Sequence, residues 1–258
     1  MNLTLEKYHG LGNDFLVLLD LDDRHLVGGA TARALCDRHR GVGADGFIRV
    51  TAGPTPGGFT MELHNADGGR AEMSGNGIRC LALALVDAGL ATGPTITIAT
   101  DAGPRPVRRN DDGTFTVAMG VATVEAGAGQ SLLVDMGNPH VVVEVQDPYD
   151  VDLGREARRV GGDVNLEVVS AGPGADELTM RVWERGVGET QACGTGACAA
   201  AVAAHKWGMV GERVTVHQPG GAARVELDGD RVALTGPAEW ICTVEIRRDE
   251  IGAGEVRG

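Results

Sequence analysis

Short runs that alternate apolar and polar residues, or that are simply β-branched, recur along the whole chain. They fall at residues 3–7, 15–19, 47–51, 60–64, 95–99, 114–118, 132–135, 141–145, 166–169, 178–183, 213–217, 223–227, 231–235 and 241–246, most of them bounded by Gly, Pro or Asp. A period of two closed by turn residues predicts strands. Three segments carry the Ala- and Leu-rich pattern of helices instead, at about 30–39, 76–89 and 195–207. Strands lie on both sides of each helix, with no regular strand-helix alternation. The predicted class is therefore α/β in the mixed, α+β sense: mostly antiparallel sheets, each wrapped on a central helix, rather than a doubly wound parallel sheet.

The pattern is duplicated. Around residue 74 the chain reads Glu72-Met73-Ser74-Gly75-Asn76-Gly77-Ile78-Arg79-Cys80, and around residue 193 it reads Gln191-Ala192-Cys193-Gly194-Thr195-Gly196-Ala197-Cys198. Each is a Gly-polar-Gly turn entering a helical run, headed by Ser in one case and Cys in the other. Gly12-Asn13-Asp14-Phe15 is matched by Gly137-Asn138-Pro139-His140, each entering a β-branched strand. Asn65 and Glu184 stand at equal distances before Ser74 and Cys193. The first half is longer between its matched points, and Gly53-Pro54-Thr55-Pro56-Gly57-Gly58 predicts a longer hairpin loop there. Three matches in one order point to two pseudo-symmetric domains, 1–118 and 119–240.

Composition narrows the function. A formal net charge of −13 argues against nucleic acid or an anionic membrane as partner, since both need a basic face. No apolar run is long enough to span a bilayer and no leader pattern opens the chain, so a cytoplasmic protein is expected. Lysine occurs only at Lys7 and Lys206, neither in a pyridoxal-phosphate motif. Five cysteines without scaffold spacing predict reduced thiols. Cys193 and Cys198 lack the second pair that a zinc site needs, so no metal is expected. Gly41-Val42-Gly43-Ala44-Asp45-Gly46 has dinucleotide-binding spacing, but it follows a helix and leads into a strand, the reverse of the required context.

The candidate chemistry sits at the two duplicated turns. Gly75-Asn76 and Gly194-Thr195 open helices, whose first N–H groups have no internal partner and whose macrodipole is positive there. Such an end can hold a carboxylate, and it lowers the pKa of a thiol placed on it. Ser74 reads equally well as a plain helix cap, whereas cysteine is a poor one. Glu184 and Arg185 follow a strand and fit an amino group and a carboxylate, or simply a surface ion pair. His140 alone reads as a satisfied turn histidine.

Together these motifs resemble the diaminopimelate epimerase family, from residue 1 to about 245. The resemblance implies two similar domains with the site between them, a last strand in about 240–258 returning to the first domain, a homodimer, no cofactor, and diaminopimelate as the small-molecule substrate. It implies that LL-2,6-diaminopimelate is converted to the meso form for lysine and peptidoglycan precursor synthesis. One thiolate removes the α-proton while an opposing thiol reprotonates the other face, with the helix starts stabilising the charge that develops. By position, Cys193 is one acid–base group, with His140 and Glu184 flanking the chemistry. Asn13, Asn65, Asn138, Asn165, Glu184 and Arg185 are implied substrate contacts, and Gly75, Asn76, Gly194 and Thr195 the carboxylate cradle. The departure is Ser74, where the family has its second cysteine. A serine hydroxyl is a poor base unless another group activates it. Reduced epimerase activity is therefore expected. The alternatives are a same-fold racemase or dehydratase acting on another amino acid, or a weakly active amino-acid-binding relative.

Overall fold

The computed structural model describes residues 3–25, 27–161 and 164–247. Two compact units emerge: residues up to Phe115 together with those from Ala238 onward, and Thr116–Pro237.

The first unit opens with a hairpin of β1 (Leu3–Gly10) and β2 (Asn13–Leu19), turned through Leu11 and Gly12 at positive φ. Helix α1 (Gly29–Cys36) leads to the hairpin of β3 (Gly46–Ala52) and β4 (Phe59–Asn65), whose loop is the Gly/Pro-rich segment expected from the sequence. The short β5 (Arg70–Ala71) folds back on β4. Helix α2 (Gly75–Asp87), β6 (Thr95–Thr100) and β7 (Gly103–Arg109) follow. Pairing runs β1–β2–β3–β4–β6–β7, with β2–β3 and β4–β6 parallel and the rest antiparallel.

The second unit repeats that plan. After β8 (Phe115–Val121) and β9 (Thr123–Ala126) come β10 (Leu132–Asp135) and β11 (Pro139–Glu144). A 3₁₀ turn and α2's predecessor-like helix α3 (Leu153–Arg159) lead to β12 (Asn165–Ala171), β13 (Glu177–Glu184) and β14 (Gly188–Thr190). Helix α4 (Gly194–Lys206) precedes β15 (Arg213–Gln218), β16 (Gly221–Asp228) and β17 (Arg231–Gly236). Pairing runs β9–β10–β11–β12–β13–β15–β16–β17, again parallel only at β11–β12 and β13–β15. β8 pairs with β17. The chain closes with β18 (Glu239–Ile246), antiparallel to β1 in the first unit. Residues 248–258 of the expected returning segment lie outside the described residues.

Both central helices are buried nearly all round, as a helix enclosed by its own sheet must be. α2 packs on β1, β2 and β3, and α4 on strands β10 to β13 and β15 to β17. The alanines of α4, including Ala197, Ala199, Ala200, Ala203 and Ala204, are fully buried and bring the surrounding strands close. The shorter helices cover the outer faces. α1 buries Ala32 and Leu35 with Leu16, Leu18 and Phe47, and α3 buries Leu153 and Ala157 with Leu166 and Val168. Each such leucine contributes about 1.5–3 kcal/mol of burial. The mostly antiparallel, helix-centred α+β class expected from the sequence is the class observed.

Candidate active site

In the first unit, Ser74 caps α2: its backbone is extended and its Oγ accepts from Gly77 N at 3.0 Å. Asn76, in the first turn, is buried; its Nδ2 donates to Asn13 Oδ1 at 3.1 Å, and its Oδ1 accepts from Arg79 Nη2 at 2.7 Å. Arg79 also donates to Gly75 O at 2.9 Å. Asn13 continues the network, donating to Asp45 Oδ2 at 2.8 Å. Asp45 and Asp14 share Arg38, and Lys7 pairs with Asp14 at 2.9 Å. Asn65 ends β4, in register with Gly46, and its backbone N–H bonds Gly69 O. The fold thus brings Asn13, Ser74, Gly75 and Asn76 into one connected cluster.

In the second unit, Cys193 occupies the position equivalent to Ser74. Contrary to the expectation that cysteine caps poorly, its Sγ accepts from Gly196 N at 3.3 Å and lies 3.4 Å from Thr195 Oγ1. Its own N–H donates to Gln218 Oε1 at 2.8 Å. Asn138 Nδ2 lies 3.5 Å from Thr195 Oγ1. His140 is no turn residue: it is fully buried in β11, with Nε2 3.1 Å from Asn138 and Nδ1 2.7 Å from Glu167 Oε1. Asn165 stands beside it in register, donating to Pro139 O and accepting from Arg185 N, each at 3.0 Å. Glu184 accepts a short hydrogen bond from Thr190 Oγ1, and the Arg185 side chain is exposed. Here too the predicted residues, from Asn138 to Thr195, form one cluster.

The electrostatics of Cys193 correct one expectation. The helix start was expected to lower its pKa. Burial, together with the nearby Glu184 and Glu167 carboxylates, instead pushes the thiol well above its ordinary value; the hydrogen bonds from Thr195 and Gly196 oppose this and lose. The resting group is therefore a thiol. Cys80, buried in α2, is likewise pushed up to about 12 by desolvation.

Three buried polar residues escaped the sequence reading. Glu167 sits where Leu166-Glu167-Val168 alternation predicts a solvent-facing side chain, yet β12 is buried on both faces. Gln218 ends a strand far along the chain from Cys193. Arg79 lies inside a motif already noted, and a helix position flanked by Ile78 and Cys80 was its only signal.

The model of the diaminopimelate epimerase family matches residues 5–125 and 132–241. The chain belongs to the diaminopimelate epimerase family. It is 38% identical to a diaminopimelate epimerase from Acidovorax ebreus, covering 95% of this chain and 98% of that one. It is 39% identical to another from Mycobacteroides abscessus, over 95% and 96%. Among solved structures, a phenazine biosynthesis protein of the PhzF family from Bacillus anthracis superposes with a TM-score of 0.77 at 15% identity, covering 96% of this chain and 99% of that one. A hydroxyproline epimerase from Agrobacterium vitis, with trans-4-hydroxy-L-proline bound, gives 0.69 at 16% identity over 95% and 91%. These last two likenesses show a common fold. Among the described residues there is no group of His, Cys, Asp and Glu arranged for a metal ion, and no helix is long and apolar enough to cross a membrane.

Proposed function

We propose that this chain epimerises 2,6-diaminopimelate at its α-carbon, interconverting the LL and meso forms without a cofactor, in the supply of lysine and peptidoglycan precursors. The observation that carries the reading is Cys193. It is a buried thiol held on the first turn of α4, in a chain closely related over almost its whole length to diaminopimelate epimerases.

In this reading Cys193, a thiol at rest, donates a proton to the α-carbon in one direction and, as thiolate, accepts one in the other. The second role needs a lower pKa than the empty site gives. The substrate ammonium, held by Glu184, supplies it: a cation there offsets one of the two carboxylates that, together with burial, keep the thiol protonated. The N–H groups of Gly194 and Thr195, and of Gly75 and Asn76, receive the α-carboxylate and the charge that moves onto it. Asn13, Asn65, Asn138 and Asn165 orient the substrate, Arg185 takes the distal carboxylate, and His140 supports proton transfer at the Cys193 end. Ser74 is the second proton carrier, working as a hydroxyl at reduced rate. We extend the proposal to a cytoplasmic homodimer, which sedimentation of the purified chain tests for its oligomeric part.

Incubation with LL- and with meso-diaminopimelate in deuterium oxide tests the reaction. Epimerisation with deuterium entering the α-position is expected from both isomers, and its loss in Cys193→Ala. Binding without exchange or inversion would refute the reaction and favour an amino-acid-binding protein. Activity on proline or histidine but not diaminopimelate would favour a same-fold racemase.

A further inference from the structure

Glu167 is fully buried, and while Oε1 faces His140 Nδ1, Oε2 has no hydrogen-bond partner among the described residues. A buried carboxylate left partly unsatisfied is destabilising, so packing alone does not account for it. The other half of the chain is an internal control. Phe15 stands in register with Gly46, two residues before Ile48, just as His140 stands in register with Asn165, two residues before Glu167. A Cβ added to Gly77, at the start of α2, would meet Ile48 Cδ1 at 3.1 Å and Phe15 Cε1 at 3.3 Å. A Cβ added to Gly196, at the start of α4, would meet Glu167 Oε1 at 2.5 Å. The same floor beneath the same helix start is an apolar pair in one unit and an ionisable pair in the other. The fold is satisfied by Phe and Ile at these places, so His and Glu are there for another reason.

We propose that Glu167 is a positioning residue for Cys193: its carboxylate fixes the proton of His140 on Nδ1, turns Nε2 to Asn138, and applies a negative charge beneath the cysteine sulphur. With Nδ1–H given to the carboxylate, Nε2 is turned to Asn138 Oδ1 at 3.1 Å, which leaves the Asn138 NH₂ for Thr195. The far end of that amide meets the Thr195 hydroxyl, which touches Sγ, so one chain of contacts runs from Glu167 to the sulphur. The groups facing Cys193 are Glu167 from β12, Glu184 from β13, His140 through Asn138 from β11, and the Thr195 hydroxyl and Gly196 N–H of α4. Gln218, from the end of β15, holds its backbone. Glu167 keeps the thiol charged with its proton until a substrate cation arrives, which prevents wasteful ionisation of the empty site.

The inference rests on Cys193 being an acid–base group of the proposed reaction, but its first readout needs no turnover. Iodoacetamide alkylation of Cys193, followed by peptide mass spectrometry across pH 6–10, compares the parent chain with Glu167→Gln and Glu167→Asp. Loss of the negative charge should move the alkylation inflection to lower pH. The Gln variant should react about tenfold faster below the inflection, one pKa unit being a factor of ten in thiolate. Glu167→Asp, which withdraws the charge by one methylene, should move it less in the same sense. In turnover, kcat should fall with KM little changed, and the pH–rate profile should move with the alkylation profile. An unchanged alkylation rate across that pH range in folded Glu167→Gln, or in folded Glu167→Asp should the Gln variant not fold, overturns the proposal, whatever happens to the melting temperature. A raised alkylation rate in a protein that never epimerises diaminopimelate leaves Glu167's role standing and removes the reaction.

Discussion

Replacing Ser74 by cysteine isolates the chemical difference between the two helix starts. Both caps have extended backbones, with φ and ψ of −140° and 124° at Ser74 and −126° and 122° at Cys193, so position 74 already has the shape that a cysteine adopts in this molecule. The cap bond should survive in the longer form seen at Cys193, 3.3 Å to the amide instead of 3.0 Å. Since complete loss of a serine cap costs about 1 kcal/mol, the exchange should cost less, and the melting point should fall by no more than about 2–4 °C. The floor beneath residue 74 is Phe15 and Ile48, which suits a polarisable sulphur. The cradle of N–H groups is untouched, so KM should hardly change. The gain falls on proton transfer, where a well-matched general acid or base contributes about 10²–10⁴-fold. A rise in kcat of at least about 10²-fold is expected, with deuterium incorporation rising in step. Chiral chromatography of the diaminopimelate isomers measures the first and mass spectrometry the second. An unchanged rate in a variant that melts within a few degrees of the parent would refute the idea that residue 74 carries a proton at all.

Other consequences follow from the same geometry. Gly196→Ala would drive a Cβ to 2.5 Å from a carboxylate locked by His140, whereas Gly77→Ala meets the tip of Ile48 at 3.1 Å. The first should lose about 1–3 kcal/mol and most activity, the second less, and equal or reversed losses in thermal melts would count against the placement of Glu167. Arg79→Met removes donors to Gly75 O and Asn76 Oδ1 within the buried α2 start, and should cost about 2–4 kcal/mol by denaturant unfolding; a cost near zero would show the network to be dispensable. At Asp14 and Asp20 burial raises the carboxyl pKa, but hydrogen bonds from Arg38 and Lys7 at Asp14, and from Arg49 and the Arg24 and His25 amides at Asp20, outweigh it and hold both below the ordinary value. Their folded pKa is depressed, so their stabilisation is present above the unfolded carboxylate pKa of about 3.9 and is lost as pH falls through the lower folded value. Asp20→Asn should flatten the acid limb of stability below about pH 4, and an unchanged slope would refute the assignment.

The repeat was legible because it is written in turn residues and alternation, both local signals. The strands of each unit and the three longer helices stand close to where the pattern predicts them, with the first helix ending at Cys36 rather than near 39 because the chain turns extended at Asp37. What escaped has physical causes. β7 contains Pro104 and Pro106, which read as breakers; it pairs only with β6 among the described pairings, so the missing N–H groups face outward. β5, β9 and β14 are too short for a period to register, and α3 is a seven-residue helix started by the Asp152 cap. The candidate site residues were legible as motif letters, but their partners in the fold were not. The burial that turns Glu167 inward, and the burial and carboxylates that together reverse the expected shift at Cys193, are set by strands distant in sequence.

That reversal bears on why the floor beneath the helix start is ionisable in only one half of a duplicated fold. A helix start draws negative charge, and in the second unit the draw is countered by burial and by Glu184 and Glu167, which leave a protonated thiol; in the proposed reaction that thiol gives its proton and can lose it once a cation binds. In the first unit the helix start faces apolar side chains and is tied into a network of Arg79, Asn76 and Asn13 that holds it rigid. The floor there, Phe15 and Ile48, brings no carboxylate to a group at the cap. A cysteine would be close enough to neutrality to exchange protons unaided, whereas a serine would not. The two halves therefore differ in what they demand of the residue at the cap: residue 193 is tuned by its surroundings, and residue 74 must bring its acidity with it.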